Sequence, residues 1–62
     1  MTRLQEAYER ADKSVAHWTL ILAGSLSASQ RQHARIELVR AIGRRVRTRI
    51  AMEREEGAQV AA

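Results

Sequence analysis

Seven arginines, Arg31, Arg35, Arg40, Arg44, Arg45, Arg47 and Arg49, fall within nineteen residues and are opposed there only by Glu37. This stretch carries a local charge of +6 against +4 for the whole chain of 62 residues, so the rest of the chain is net acidic. A guanidinium is planar and permanently charged, and its fork of donors matches two oxygens of a phosphate or carboxylate at once. The chemistry on offer is the recognition of anions, carried by a polynucleotide backbone or by an acidic protein surface.

On a helical wheel Arg40, Arg44, Arg47 and Arg54 share one flank. Arg31, Arg45 and Arg49 fall on the other flank, with Arg35 at the boundary. The stripe from Arg40 to Arg54 spans about 21 Å at 1.5 Å per residue, a length comparable to several phosphates along one strand. These four residues are the expected contacts with nucleic acid or with an acidic partner. Such a stripe predicts affinity without base choice, since two long helices leave no separate short recognition unit of the helix-turn-helix kind. The plain alternative is a set of solvated positions beside a packing seam, with arginine stems lying over apolar surface and their heads in water.

Other reactive residue types form no catalytic set. Ser25, Ser27 and Ser29 lie in or near a turn, where capping explains them, and neither they nor Ser14 has a nucleophile-elbow context. His17 and His33 fall on different helices; only His33 has a carboxylate four residues away, Glu37, and two such groups on one helix do not make up a metal-ligand set. There is no glycine-rich phosphate loop, and without cysteine there is neither a disulfide framework nor a thiolate zinc site. The expectation is a non-enzymatic protein with no metal, no cofactor and no small-molecule substrate.

The elements that position the arginines are helices. The chain has no proline and three glycines, and it is rich in residues that lose little on entering a helix. Thr2 with Gln5 makes a capping box, so a first helix is expected over about 2–23. Along it Leu4, Tyr8, Ala11, Val15, Trp18 and Leu22 alternate spacings of four and three, the heptad seam of shallow helix packing. Glu6 with Arg10 and Glu9 with Lys13 are i, i+4 pairs on its outer side. Gly24 is placed to close the helix in the left-handed conformation, giving a turn over about 24–27. Ser27 with Gln30 is a second capping box, opening a helix over about 28–56. Ile36, Val39, Val46 and Ile50 form its expected apolar stripe around Gly43, and Gly57 its expected end. Residues 58–62 would then be a frayed tail.

A short turn makes the helices antiparallel neighbours and sets Val15 beside Ile36, Ala11 near Val39, Leu4 near Val46 and Tyr8 over Gly43. The same register brings His33 near Trp18 and His17, and carries Glu6, Glu9 and Asp12 toward Arg40 to Arg47. The fold class is all-α, an antiparallel two-helix hairpin forming one domain over 1–57. A core this small leaves an isolated hairpin marginal. Leu20 and Ile21 widen the apolar face near the turn, and Ile50 reaches past the start of the first helix. Dimerisation into a four-helix bundle is therefore expected, with Trp18, Leu20, Ile21 and Ile50 at the oligomer or partner interface.

The longest apolar stretch, Val15 to Ala23, contains His17 and Thr19 and falls well short of the roughly 20 residues of a membrane span. Glu6, Glu9 and Asp12 stand where a secretory signal would build its apolar segment, so a cytoplasmic protein is expected. Ala34-Arg35-Ile36, Val39-Arg40 and Arg45-Val46-Arg47-Thr48 resemble the second helix of the two-helix protein family at the exit-tunnel rim of the large ribosomal subunit. That resemblance implies a basic hairpin that binds ribosomal RNA; it covers only these segments, and Gly43 departs from the aliphatic residue the family keeps there. The leading functional expectation is nucleic-acid binding through the second helix. The alternative is a small adaptor or inhibitor that binds a protein partner through its apolar and basic faces.

Overall fold

A computed structural model describes the backbone of residues 2–61 and the side chains of residues 2–58. Two helices, α1 (Arg3–Leu22) and α2 (Ala28–Ala61), pack against each other, and the described residues contain no strand. Both starts are fixed by the expected capping boxes. Thr2 Oγ1 accepts from the Gln5 amide at 3.1 Å while the Thr2 amide donates to Gln5 Oε1 at 3.0 Å. At α2 the Ser27 amide donates to Gln30 Oε1 at 3.0 Å and Ser27 Oγ accepts from the Gln30 amide at 3.2 Å. Each box satisfies helix-end donors that would otherwise have only water.

Two helix ends differ from expectation. Gly24 does not take the left-handed conformation, and no described residue has a positive φ. α1 instead tightens at its end, with the Ala23 amide shared between the Thr19 and Leu20 carbonyls and the Gly24 amide donating to Ile21 O at 3.1 Å. These shorter-range bonds meet the orphan carbonyls without a left-handed residue. Gly57 does not end α2. The helix runs through it to Ala61, so residues 58–61 of the expected frayed tail are helical, and Ala62 lies outside the described residues. A glycine with no neighbour within 4 Å weakens a helix without forcing it to stop.

The seam of α1 is the expected one: Ala11 is buried and Leu4, Tyr8, Val15, Trp18 and Leu22 are half-buried. The seam of α2 is not. Ile36, Val39, Val46 and Ile50 are all exposed, and the face turned to α1 carries Ala34, Leu38, Ala41, Arg45, Thr48 and Met52. Ala34 and Ala41 are 1% and 0% exposed. The reason lies in size. α1 brings tryptophan, tyrosine and leucine to the contact, and a facing row with alanines at two layers makes room for those large side chains.

This choice of face alters the register. Near the turn the expected neighbours hold, with the Trp18 ring edge-on to His17 at 5.1 Å and to His33 at 5.7 Å between centroids. Midway along, Asp12 meets Arg45 at 3.0 Å, where the expected register set Val39. Tyr8 does not cover Gly43. It lines a surface groove with Arg49, Met52 and Glu53. The molecule is a rod of 52 × 17 × 14 Å, as long as α2 itself at about 1.5 Å per residue.

Candidate interaction surface

Because α2 packs through its alanine row, its other apolar row faces outward. Ile36, Val39, Ile42, Val46 and Ile50 stand there between 38% and 69% exposed. At 100° per residue the middle of this row lies about 150° round α2 from the seam. One helix thus carries two apolar rows on nearly opposite sides. The hairpin uses one.

The arginines border the unused row. Arg40 and Arg47 run along one edge and Arg54 continues it, while Arg35 and Arg49 run along the other. Arg44 stands further round toward α1. With Arg47 and Arg10 it lines an open groove between the helices, floored by Ala7 and Ala11. Arg40 bonds Glu37 at 3.2 Å and Arg49 meets Glu53 at 3.4 Å, both pairs within one helix and largely exposed on the arginine side. Among the described residues Arg31, Arg35, Arg44, Arg47 and Arg54 have no carboxylate within 4 Å. Exposed pairs of this kind contribute about 0–1 kcal/mol, so even the paired arginines keep their charge available to a partner.

The acidic start of α1 neutralises less than expected. Among the described residues only Asp12 reaches across, to Arg45, whose side chain is 33% exposed and sits at the edge of the seam. The expected Glu6–Arg10 and Glu9–Lys13 pairs do not close within 4 Å; these four side chains line a shallow surface groove. The Arg10 guanidinium turns to the Glu6 carbonyl instead, at 3.5 Å. Of the stripe expected from sequence, Arg40, Arg44, Arg47 and Arg54 do share one flank, with Arg44 nearest α1 and Arg54 nearest the apolar row.

The residues expected at a partner interface are not brought together. Trp18 and Ile21 are half-buried and line a cleft at the turn with Leu26, His33 and Ala34. Leu20 is 75% exposed on the outer side of α1, next to the turn. Ile50 lies on the outer side of α2, about 33 Å from that helix's start. Only Ile50 belongs to the outward row. Ile36, Val39 and Val46 were legible as apolar but assigned to the wrong contact, and Ile42 was missed because it sits one step off the heptad row.

The exposed area is large for the mass. The chain of 7.0 kDa presents 4993 Å² to solvent. A folded monomer of that mass is expected to present about 4,000 Å². The excess follows from the thin rod shape, which leaves much of the surface of each helix uncovered.

No described group of three histidines, cysteines or carboxylates converges as a metal site, and no described helix is long and apolar enough to cross a membrane. No protein family, curated protein or solved structure matches the chain, so the ribosomal resemblance rests on its quoted residues alone.

Proposed function

We propose that the protein is a non-enzymatic binding module whose contact surface is the outward face of α2. The observation that carries this is the row Ile36, Val39, Ile42, Val46 and Ile50, left bare on the side of α2 that α1 does not touch. A contiguous exposed apolar patch rimmed by polar residues is a recurring mark of an interaction site. Here the row has helical spacing and a rim of arginine, a residue enriched at interfaces. A helix-in-groove or bundle-completing mode follows, the hairpin supplying two helices and the partner the rest. A four-helix bundle of two copies is the symmetric version of that mode.

A photo-crosslinking side chain at position 39 tests the surface directly. Placed in the chain as expressed in cells, it should give a discrete adduct, whereas the same group at Ala16 on the outer side of α1 should give none. Equal adducts from both positions would count against the assignment.

A second reading, nucleic-acid binding, is favoured by the groove where Arg10, Arg44 and Arg47 stand together without a carboxylate. Binding of this kind weakens steeply with salt, and Arg44→Ala or Arg47→Ala should each reduce the salt slope by about one. Failure to retain duplex DNA or structured RNA at low salt removes that reading and leaves the first untouched.

A further inference from the structure

We infer that the outward face of α2 docks an acidic amphipathic helix of another protein, which lies along the apolar row and approaches closest at Gly43; this rests on the assignment of that face as the contact surface. Ile36, Val39, Gly43, Val46 and Ile50 are spaced three, four, three and four apart, the seam spacing that helices use to lie side by side. The positions bordering such a seam meet their counterparts across it and set partner choice. Here they are Arg40, Arg47 and Arg54 on one side and Arg35, Ile42 and Arg49 on the other.

These borders disfavour a second copy in either orientation. Paired antiparallel about the row, two copies set Arg40 against Arg47 twice over. Paired in parallel, they set Arg35 against Arg40 and Arg49 against Arg54. Like charges juxtaposed across an interface penalise the wrong partner. Intrachain carboxylates relieve this only in part: Arg40 and Arg49 hold Glu37 and Glu53, whereas Arg35, Arg47 and Arg54 have no carboxylate within 4 Å among the described residues. A helix with Leu or Ile on its seam and Glu or Asp on both borders covers the row and meets every border arginine.

A polynucleotide would use the arginines but not the row, because Trp18 and Tyr8, the aromatic residues able to stack on bases, are half-buried in the hairpin. Gly43 points the same way. Within the hairpin nothing requires a glycine there: the nearest atoms to an added Cβ are those of the Arg47 guanidinium, at 3.8 Å, an ordinary contact at the end of a flexible side chain. A helix-weakening residue at the middle of an outward seam has a use if another helix must come close at that point.

The test titrates the full chain with a labelled peptide of about four heptads, leucine on the seam and glutamate on both borders, whose own charges keep it from self-pairing. The same peptide with lysine borders is the control. The glutamate peptide should bind and the lysine peptide should not. Val39→Glu or Val46→Glu should weaken binding more than tenfold while far-ultraviolet circular dichroism keeps the hairpin signal, because both residues are exposed and outside the contact between α1 and α2. Gly43→Leu should weaken it similarly. No binding of the glutamate peptide up to roughly 0.1 mM overturns the proposal. So does a dimer of the chain alone that Val46→Glu dissolves, or tighter row-dependent binding to anionic vesicles. Equal binding of both peptides, lost in Val46→Glu, overturns the acidic partner but keeps the face. Binding that neither glutamate substitution weakens overturns both.

Discussion

Gly43 and Arg47 show how one position can be explained by its neighbour without being required by it. The Arg47 guanidinium lies back over the turn that contains Gly43, with its nearest atoms 3.8 Å from where a Cβ would stand. A methyl group fits at that distance, and alanine is about 1 kcal/mol better than glycine inside a helix. Gly43→Ala should therefore stabilise the free hairpin by up to about 1 kcal/mol, which for a domain of this size raises Tm by about 4–8 °C. Thermal circular dichroism checks it; an unchanged or lowered Tm would show that the glycine serves the hairpin itself. At the same scale, the Asp12–Arg45 contact at 3.0 Å is more useful for register than for stability, because its carboxylate is 58% exposed and water screens the pair.

Two rows of α2 have seam spacing, and the fold depends on which one meets α1. The row of Ile36, Val39, Val46 and Ile50 is the more apolar, so reasoning from hydrophobicity selects it. The row of Ala34, Leu38, Ala41, Arg45, Thr48 and Met52 holds an arginine and a threonine, which hides it from such reasoning although its spacing is as regular. The deciding property is side-chain size against a bulky seam on α1, and that becomes visible only when the two helices are considered together. The capping boxes at Thr2 and Ser27, the heptad seam of α1 and the Trp18–His33 neighbours were legible because each depends on local spacing or on the short turn. The arginine flank was legible for the same reason, and so was the apolar row beside it, but not that this row would stay bare. The two rows separate cleanly by mutation. Ala41→Leu forces extra volume into a position that is 0% exposed and should cost about 1–3 kcal/mol. Val39→Thr, at 69% exposure, should stay within about 0.5 kcal/mol of the parent. Chemical denaturation of both variants measures the difference, and the opposite ranking would mean that α1 packs on the other row.

For the whole molecule, the balance is between a thin core and a concentrated positive charge. The buried set among the described residues is three alanines, Ala11, Ala34 and Ala41, so little apolar burial is available to offset repulsion along α2. Arg31 to Arg49 covers about 27 Å, slightly less than the Debye length of about 30 Å at 0.01 M salt and far more than the 3 Å at 1 M. At low salt every arginine in the run therefore feels the others, while at high salt only immediate neighbours interact. Salt also weakens attraction, but the three ion pairs within 4 Å among the described residues are exposed or half-exposed and contribute little. Repulsion is the larger quantity, so the free hairpin should gain stability as salt rises. Its Tm should increase between about 0.01 M and 0.5 M sodium chloride, whereas its affinity for an acidic helix should fall over the same range. Thermal melts and peptide titrations in one salt series measure both trends. A Tm that falls with salt would mean that the ion pairs outweigh the repulsion, and that the charge on α2 is already balanced within the hairpin rather than held for a partner.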